Sequence, residues 1–426
     1  MNVASIDFAT NDTFVIDHPF GHHKKTTLWA LSQSEHFRNF TCVGFFKHDK
    51  LKATAIIFYR NTLFGQWWYI PYGPCVDYVD PILTKHVMDA LMVHARSNQV
   101  ALLQFETNVM RIEHDKKGNI LHKGVDQQWI TDVIRSSGFV HLGYRYGYAG
   151  NIQPRFTYIL DIRPDMDTLQ NAMHKSILAT HKKNQRRHIF VQVSDASKLD
   201  VLEHYGKQLS DENDFIAKKR DDFKRVMDVY HDHAVYIVAT MNVNQAIATI
   251  DQEIKDAQNA IDKNINNPKK QGFINEMSSL IQSLQSERAT YLDQFGAADA
   301  VDVGAGLYVW YGDRSYDLYM YTIKKVGNLS PAIAIHLKAI EVLKTKGVVY
   351  HDFVGISGSI DPEDPYYGLY DFKRKFGGDF IEYLGQFEAY VKPKQAKWLW
   401  NIHFAKRRLE RKLVRMYKQL KRKIKT

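Results

Sequence analysis

Cysteine is scarce in this chain of 426 residues, which contains only two, Cys42 and Cys75. They lack the close spacing of a metal or redox motif, and two cysteines cannot form a disulfide framework. Residues 1–13 lack the basic and apolar layout of a secretory signal, and no stretch reaches the roughly 18 apolar residues of a membrane span. The sequence therefore predicts a protein of the reducing cytoplasm.

Acidic residues are nearly missing from the C-terminal segment. From Lys394 to Thr426 there are 13 Lys and Arg against one acid, Glu410. The rest of the chain holds 44 of the 57 basic and 46 of the 47 acidic residues, so it is close to neutral although the net charge is +10. This distribution argues against a general nucleic-acid-binding surface and indicates a dedicated basic appendage.

The remaining composition, 45% hydrophobic and 13% aromatic, is that of a globular protein, and the length predicts two domains. Strand-like and helical segments alternate over residues 1–152 and again over 153–391. Two units of similar pattern predict a duplicated mixed α/β (α+β) fold. Predicted strands include Phe40–Phe46, Ala53–Tyr59, Ala101–Glu106, Ala234–Met241 and Phe380–Phe387.

Two segments depart from this rhythm. In residues 244–297, apolar residues spaced by three and four run to a turn at Pro268 and back. This pattern predicts an antiparallel, coiled-coil-like helical hairpin inserted in the second unit. In residues 392–426, an apolar stripe beginning at Trp398 and Trp400 predicts a basic amphipathic helix. Such a helix suits an anionic membrane surface. Docking on the protein body and attraction of RNA phosphates are the alternatives.

The block "VGISGSIDPEDPYYGLYDFKRKFGGDFIEYLGQFEAYVKP" (354–393) combines a Gly-Ile-Ser-Gly turn, an acidic loop with proline, the pair Phe372-Lys373 and a closing Tyr-Leu-Gly-Gln-Phe strand. Together with "YIPYGPCVDY" and "HKSILATHKKNQRR", it resembles the Fem family (FemABX-type) of non-ribosomal peptidyl aminoacyltransferases, which build the peptidoglycan cross-bridge of Gram-positive bacteria. The inserted hairpin resembles the arm of the staphylococcal-type members. The resemblance covers nearly the whole chain.

The resemblance implies two GNAT-like (acetyltransferase-like) domains, with the tail packing back on the first domain or on the membrane. It also implies transfer of an amino acid from aminoacyl-tRNA, the co-substrate, to the side-chain amine of the third stem-peptide residue of a peptidoglycan precursor. No other cofactor and no metal is expected. The reaction is the aminolysis of an ester, which requires a proton acceptor, a donor to the oxyanion and a proton for the leaving oxygen.

Several residues match the family's functional positions. Lys373 is expected to neutralise the developing oxyanion or leaving group, and Phe372 to wall the site or offer its amide. Glu106 is expected to accept a proton or orient the amine. A solvated lysine and a carboxylate in a surface salt bridge are the alternative interpretations. The expected substrate-binding residues are Lys218, with Lys219 or Arg220 as substitutes, toward phosphates, and Tyr319 and Tyr321 as cleft tyrosines or simple core residues.

Two departures from the family pattern favour a lipid-linked acceptor at the inner membrane face. Gln33 replaces a lysine four residues after Trp29, and Ile323-Lys324-Lys325 replaces a turn of small residues. A CoA-dependent GNAT-type N-acyltransferase is one alternative, but its Gln/Arg-x-x-Gly-x-Gly/Ala turn is absent from the sequence. A non-catalytic membrane or RNA adaptor is the other. The histidines of "GHHKK" and "YHDHA" lack partners at metal-ligand spacing, so surface or core positions are expected for them.

Overall fold

The computed structural model describes residues 1–34, 39–148, 152–212, 216–296, 298–324 and 329–402. Within them, thirteen strands form one mixed sheet. These strands are β1 (Asn2–Ser5), β2 (Phe40–Lys47), β3 (Lys50–Thr62), β4 (Gly65–Ile70), β5 (Val100–Glu113), β6 (Val140–His141), β7 (Phe156–Asp161), β8 (Ile189–Ser194), β9 (Ala234–Asn242), β10 (Ala300–Tyr311), β11 (Arg314–Thr322), β12 (Tyr350–Asp352) and β13 (Asp379–Ala389).

Twelve α-helices with fully described bounds flank the sheet. They are α1 (Phe8–Ile16), α2 (Thr27–Ser32), α3 (Pro81–Ser97), α4 (Trp129–Arg135), α5 (Met166–Ala172), α6 (Lys175–Arg186), α7 (Asp200–Glu212), α8 (Arg220–Tyr230), α9 (Val243–Asp262), α10 (Gln271–Phe295), α11 (Pro331–Thr345) and α12 (Tyr367–Arg374). Local sequence sets several of these boundaries. In α3, for example, the Asp80 side chain caps the backbone N–H groups of Ile82 and Leu83, and Pro81 occupies the first turn.

The same arrangement of elements occurs in both parts of the chain. Strands β2, β3 and β4 are antiparallel neighbours, and α3 then leads to β5, which pairs parallel with β4. Strands β9, β10 and β11 repeat this order, and α11 leads to β12, parallel with β11. A parallel neighbour requires a crossover connection, and a helix supplies it in each half. We call residues 1–148 the first half and residues 152–391 the second half.

The last strand joins the two halves. The order of the sheet is β1-β2-β3-β4-β5-β13-β7-β12-β11-β10-β9-β8, so β13 pairs with β5 of the first half and with β7 of the second. Its residues enter both cores, because Leu384 and Phe387 pack in the first-half core and Phe380 packs in the second. One face of this sheet can therefore carry neighbouring side chains from both halves, because β13 pairs directly with a strand of each half.

A buried ion cluster reinforces this joint. Glu382 of β13 is 1% exposed and accepts hydrogen bonds from Arg111 of β5, at 2.5 Å from Nε and 2.8 Å from Nη2. Arg155, in the segment before β7, also pairs with this carboxylate and donates to the Tyr383 carbonyl at 3.0 and 3.2 Å. Two guanidinium groups thus share one carboxylate where the halves meet, and removal of that carboxylate would leave both charges buried.

The inserted segment forms an antiparallel helical hairpin between β9 and β10. Helices α9 and α10 pack along their length, with Arg288 of α10 paired to Asp251 of α9 at 2.7 Å. The hairpin is anchored to α6 by Arg187, which donates to Glu253 and Glu287. The segment before the hairpin's anchor is not one continuous helix, because α5 ends before Met173 and the His174 side chain caps α6.

The first part of the basic tail lies against the first half. Residues 393–402 are helical, the Trp398 ring stacks on Phe64 at 6.3 Å, and Trp400 Nε1 donates to Glu388 at 3.0 Å. Trp398 is 60% exposed. The remainder of the predicted amphipathic helix, residues 403–426, lies outside the described residues. In the described part of the chain, no helix has the length and apolarity to cross a membrane.

Candidate active site at the junction of the two halves

A cavity of about 260 Å³ lies on the face of the five central strands. Two smaller spaces adjoin it, and Tyr383 of β13 lines all three. We call the three spaces together the junction crevice. Because alternate residues of a strand share a face, each central strand contributes one or two side chains to the same wall. The strand residues lining the cavity of about 260 Å³ are Asn108, Met110, Ile159, Arg314, Tyr316, Tyr350, Asp352, Ile381 and Tyr383.

The basic segment 22–25 covers the crevice and is itself buried. It forms a single 3₁₀ turn, in which the His22 side chain accepts from the Lys24 backbone N–H. The His22 ring lies 4.3 Å from the Tyr72 ring, and the His23 ring lies 4.0 Å from the Tyr316 ring. Burial lowers the pKa of both imidazoles well below its usual value. Both histidines are therefore neutral at pH 7, as aromatic packing residues require.

Lys24 is the charged member of this segment that faces the crevice. It is 7% exposed, and its Nζ donates to Gln153 Oε1 at 2.6 Å. The ammonium also lies 5.2 Å from the Trp29 ring centroid and 5.4 Å from that of Tyr72. Burial lowers the pKa of Lys24 to about 8, an effect opposed by the negative charges of Glu106 and Asp352. The Lys24 ammonium thus interacts with one carboxylate of each half, and its pKa lies close to neutral pH.

We call the two smaller spaces together the inner crevice; Lys24 lines one of them and Glu106 lines the other. Its carboxylate accepts from the Tyr69 hydroxyl at 3.1 and 3.2 Å and from the Tyr72 backbone N–H at 3.4 Å. The side chain is 3% exposed, and burial raises its pKa to about 7, against the hydrogen bonds and the Lys24 charge that favour ionisation. A carboxyl group that gains and loses a proton near neutral pH is suited to accept a proton from an amine.

Asp352 provides the carboxylate of the second half. Thr157 Oγ1 and the Val354 backbone N–H donate to Oδ1 at 2.5 and 2.7 Å, which fixes the group against both crevice spaces that it lines. Burial raises its pKa. Arg314 lies at the outer cavity with its guanidinium 5.2 Å from the Tyr350 ring. The crevice therefore presents a carboxylate inside and a cation near its mouth.

Lys373, the principal residue predicted from sequence, lies behind one wall of the crevice. It lies in the last turn of α12 and is 7% exposed. Its Nζ donates to the carbonyl oxygens of Phe353, Val354 and Gly355 at 2.7, 2.5 and 3.1 Å. Burial lowers its pKa to about 8, against the charges of Asp317 and Asp352. All three donors of the ammonium are directed at the loop that carries Gly355, a residue of the crevice wall.

Phe372 and the predicted residues of α8 lie away from the crevice lining. The Phe372 ring packs on Phe376 at 5.3 Å and on His336 at 5.6 Å, at the edge of the second-half core. Arg220 begins α8, and its Nη2 donates to the Ala196 carbonyl at 2.8 Å. Lys218 precedes α8 and is half-buried.

The two predicted tyrosines of β11 pack against α7 and α8. The Tyr319 ring makes an edge contact with Phe223 of α8 at 5.1 Å. Tyr321 lies so close to Gly206 of α7 that a Cβ there would be 3.0 Å from the ring. Burial raises the pKa of both hydroxyls above its usual value. The structure thus brings Glu106 to the crevice and Lys373 behind its wall, and the other predicted residues are not among those that line it.

Sequence reasoning missed Lys24, His22 and Asp352. The histidines of "GHHKK" were expected at surface or core positions, and no role was predicted for its lysines. Hydrophobic periodicity does not reveal that a polar turn is buried. The burial of segment 22–25 depends on the pairing of β13 with both halves. The one available signal in the sequence was that two adjacent lysines, Lys24 and Lys25, lie a few residues before Trp29. The Lys24 ammonium lies over the Trp29 ring, 5.2 Å from its centroid.

Comparison with known proteins shows the fold class and the family of this chain. The chain shares its fold with the crystal structure of FemX, at a TM-score of 0.70 and 20% identity over 94% of this chain and 99% of that one. The predicted mixed α/β class is thereby confirmed. The family match and the relatives described next show that the protein is an acyltransferase. The model of the FemAB family matches residues 6–425, so the chain belongs to that family, as its motifs predicted.

Characterised relatives of similar length carry a specific activity in their names. The lipid II:glycine glycyltransferase of Staphylococcus aureus strain COL is 23% identical over 97% of this chain and 98% of its own length. The protein of the same name from strain USA300 is 22% identical over the same shares.

Proposed function

We propose that this protein transfers an amino acid from an aminoacyl-tRNA to the side-chain amine of the third stem-peptide residue of a lipid-linked peptidoglycan precursor. The observation that carries the proposal is the FemAB family match over residues 6–425, with glycyltransferases of lipid II among relatives matched over 98% of their length. The product extends the interpeptide bridge. The aminoacyl-tRNA acts as co-substrate, and no resident cofactor is proposed.

The chemistry assigned to the junction crevice is ester aminolysis. The acceptor nitrogen attacks the ester carbonyl carbon, the C–N bond forms and the bond to the ribose oxygen breaks. Glu106 accepts the proton that the amine loses and returns it to the departing ribose oxygen. Its burial and its pKa of about 7 suit both steps, since the group is neither permanently charged nor permanently protonated at neutral pH.

Lys373 is proposed to act on the crevice through the loop that it holds. Its three hydrogen bonds orient the carbonyls of residues 353–355, and Gly355 lines the inner crevice. Direct neutralisation of the oxyanion by this ammonium would require release of at least one of these carbonyls. Phe372 then has the subsidiary role of holding α12 in place by its packing against Phe376.

The segment before α8 is proposed to face the phosphate-bearing part of the acceptor. Lys218 and Arg220 lie at the N-terminal end of an 11-residue helix, where the helix dipole also favours anions. Tyr319 and Tyr321 form the neighbouring aromatic surface on β11. The Arg220 guanidinium already donates to one carbonyl, so it contributes its remaining donors.

The basic tail is proposed to hold the enzyme at the inner face of the plasma membrane. The exposed Trp398 and the 13 basic residues from Lys394 onward supply an interfacial aromatic ring and attraction to anionic lipid. A lipid-linked acceptor would be presented at that surface. The protein would therefore be cytoplasmic and peripherally attached.

The proposal is tested with purified protein, tRNAs charged with radiolabelled glycine, alanine or serine, and two acceptors, lipid II with a lysine stem peptide and its soluble nucleotide-linked precursor. We expect transfer from at least one charged tRNA, with lipid II preferred. Acetyl-CoA serves as the control donor. Label transfer from acetyl-CoA alone, or no transfer to either acceptor when a staphylococcal glycyltransferase works in parallel, would contradict the proposal.

A further inference from the structure

Two adjacent buried lysines of segment 22–25 use their ammonium groups differently. Lys25 Nζ donates to the carbonyls of Phe20 at 2.9 Å and Pro74 at 3.3 Å, on the first-half side of the segment. For Lys24 Nζ, Gln153 is the one hydrogen-bond acceptor among the described residues. An ammonium has three N–H donors. Two donors of Lys24 are therefore left without an acceptor among the described residues, although the residue is only 7% exposed.

The position of Lys24 is as unusual as its hydrogen bonding. Its charge interacts with Glu106 of the first half and with Asp352 of the second. The crevice space that it lines has a volume of about 10 Å³, close to what one water molecule requires. A buried cation without its full set of acceptors is costly unless a ligand completes it. One oxygen atom of a ligand would fill this space and accept from the free donors.

We infer that Lys24 is a catalytic residue that donates hydrogen bonds to the carbonyl oxygen of the transferred aminoacyl ester. The inference rests on the proposed function. As the acceptor nitrogen bonds to the carbonyl carbon, the carbonyl oxygen becomes an oxyanion next to the Lys24 ammonium. Its negative charge then collapses to reform the C=O bond as the ribose oxygen leaves with the proton carried by Glu106. Lys24 keeps its proton throughout.

Lys373 cannot fill this position without rearrangement. Its donors are directed at three backbone carbonyls, whereas those of Lys24 open on the crevice. A preformed donor that needs no reorganisation at the moment of reaction is the more effective stabiliser of an oxyanion. The two lysines thus have separate roles, Lys24 at the reacting atoms and Lys373 behind the wall.

The test compares Lys24→Met, Lys24→Arg and the matched control Lys25→Met in transfer from charged tRNA to lipid II. We expect Lys24→Met to lose about 10²–10³-fold in kcat, the usual effect of removing one oxyanion donor, with KM for lipid II unchanged. Lys25→Met should lose far less. Lys24→Met should unfold at a urea concentration no lower than that for Lys25→Met, because it removes the ammonium with fewer acceptors, whereas Lys25→Met leaves the carbonyls of Phe20 and Pro74 without their donor.

A pH profile separates a catalytic role from a structural one. Between pH 7 and 10, the wild-type rate relative to that of Lys24→Arg should fall as Lys24, with its pKa of about 8, loses its proton, since a guanidinium keeps its charge. The groups facing Lys24 are Glu106, Asp352 and the neutral rings of His22 and His23. These groups and the acceptor amine are common to both enzymes and do not enter the ratio.

Each result bears on the inference. If the wild type transfers label and the rate of Lys24→Met lies within threefold of the wild-type rate, the proposed function stands and the role of Lys24 is overturned. Equal losses in Lys24→Met and Lys25→Met, or a flat pH ratio, would also overturn it. A wild-type protein that transfers nothing from any charged tRNA would overturn the proposed function and the inference together. A selective loss in Lys24→Met with the expected pH ratio supports it.

Discussion

Replacement of Glu106 by glutamine should stabilise the protein at high pH and slow transfer by orders of magnitude. The carboxyl has a pKa of about 7 in the fold and an ordinary value of 4.5, a difference of about 2.5 units. Below pH 4.5 the group is protonated in both the folded and unfolded states and the difference has no effect. Above pH 7 it is charged in both, and the folded state bears a cost of about 3 kcal/mol at 1.36 kcal/mol per unit. Glutamine removes this cost.

The assay is urea unfolding of the wild type and Glu106→Gln at half-unit steps from pH 4.5 to 8.5. The difference in free energy of unfolding should rise from near zero at the acid end to about 3 kcal/mol in favour of the variant above pH 7.5. The same variant should lose about 10²–10⁴-fold in transfer rate, as expected for loss of a general base. A pH-independent difference, or a variant less stable than the wild type at pH 8, would refute the buried, proton-sharing carboxylate.

Three further predictions concern other parts of the molecule. Lys373→Met should lower the free energy of unfolding by about 2 kcal/mol and speed amide exchange in residues 353–355, since three buried carbonyls lose their donor; unchanged exchange there would contradict the positioning role. Glu382→Gln should cost about 3–5 kcal/mol in urea unfolding because Arg111 and Arg155 stay buried without their partner, and a cost under 1 kcal/mol would show that the joint does not depend on this cluster. Deletion of residues 394–426 should weaken sedimentation with anionic vesicles and leave weak binding to neutral vesicles unchanged; equal anionic binding would dismiss the membrane role.

The sequence correctly predicted those helices and strands in which apolar residues recur with helical or strand spacing. The hairpin, predicted over 244–297, appears as α9 and α10 because its apolar residues recur at helical spacing on each arm. The strand predicted at Phe380–Phe387 appears as β13, extended to Asp379–Ala389. Helix α8 went unpredicted, since its acidic and basic residues lend it a polar composition and only Phe223, Val226 and Tyr230 form its buried stripe.

The site was only partly predictable. Glu106 and Lys373 were found through motifs, and the family match supports those motifs without testing the roles of the residues. The position of Lys24 depends on long-range pairing, because β13 must join β5 and β7 before segment 22–25 has a wall of the second half to cover. No local pattern of charge or hydrophobicity encodes that pairing. The hydrogen bonds that occupy Lys373 were unpredictable for the same reason, since they come from the loop after β12.

The central claim is most directly tested by mass spectrometry of lipid II after incubation with the enzyme and a charged tRNA. We expect a mass increase of one aminoacyl residue, with fragment ions that place it on the side-chain amine of the third stem-peptide residue. We also expect Glu106→Gln to yield almost none of this product. An added residue at another amine, or unmodified lipid II beside a working staphylococcal control, would contradict the account.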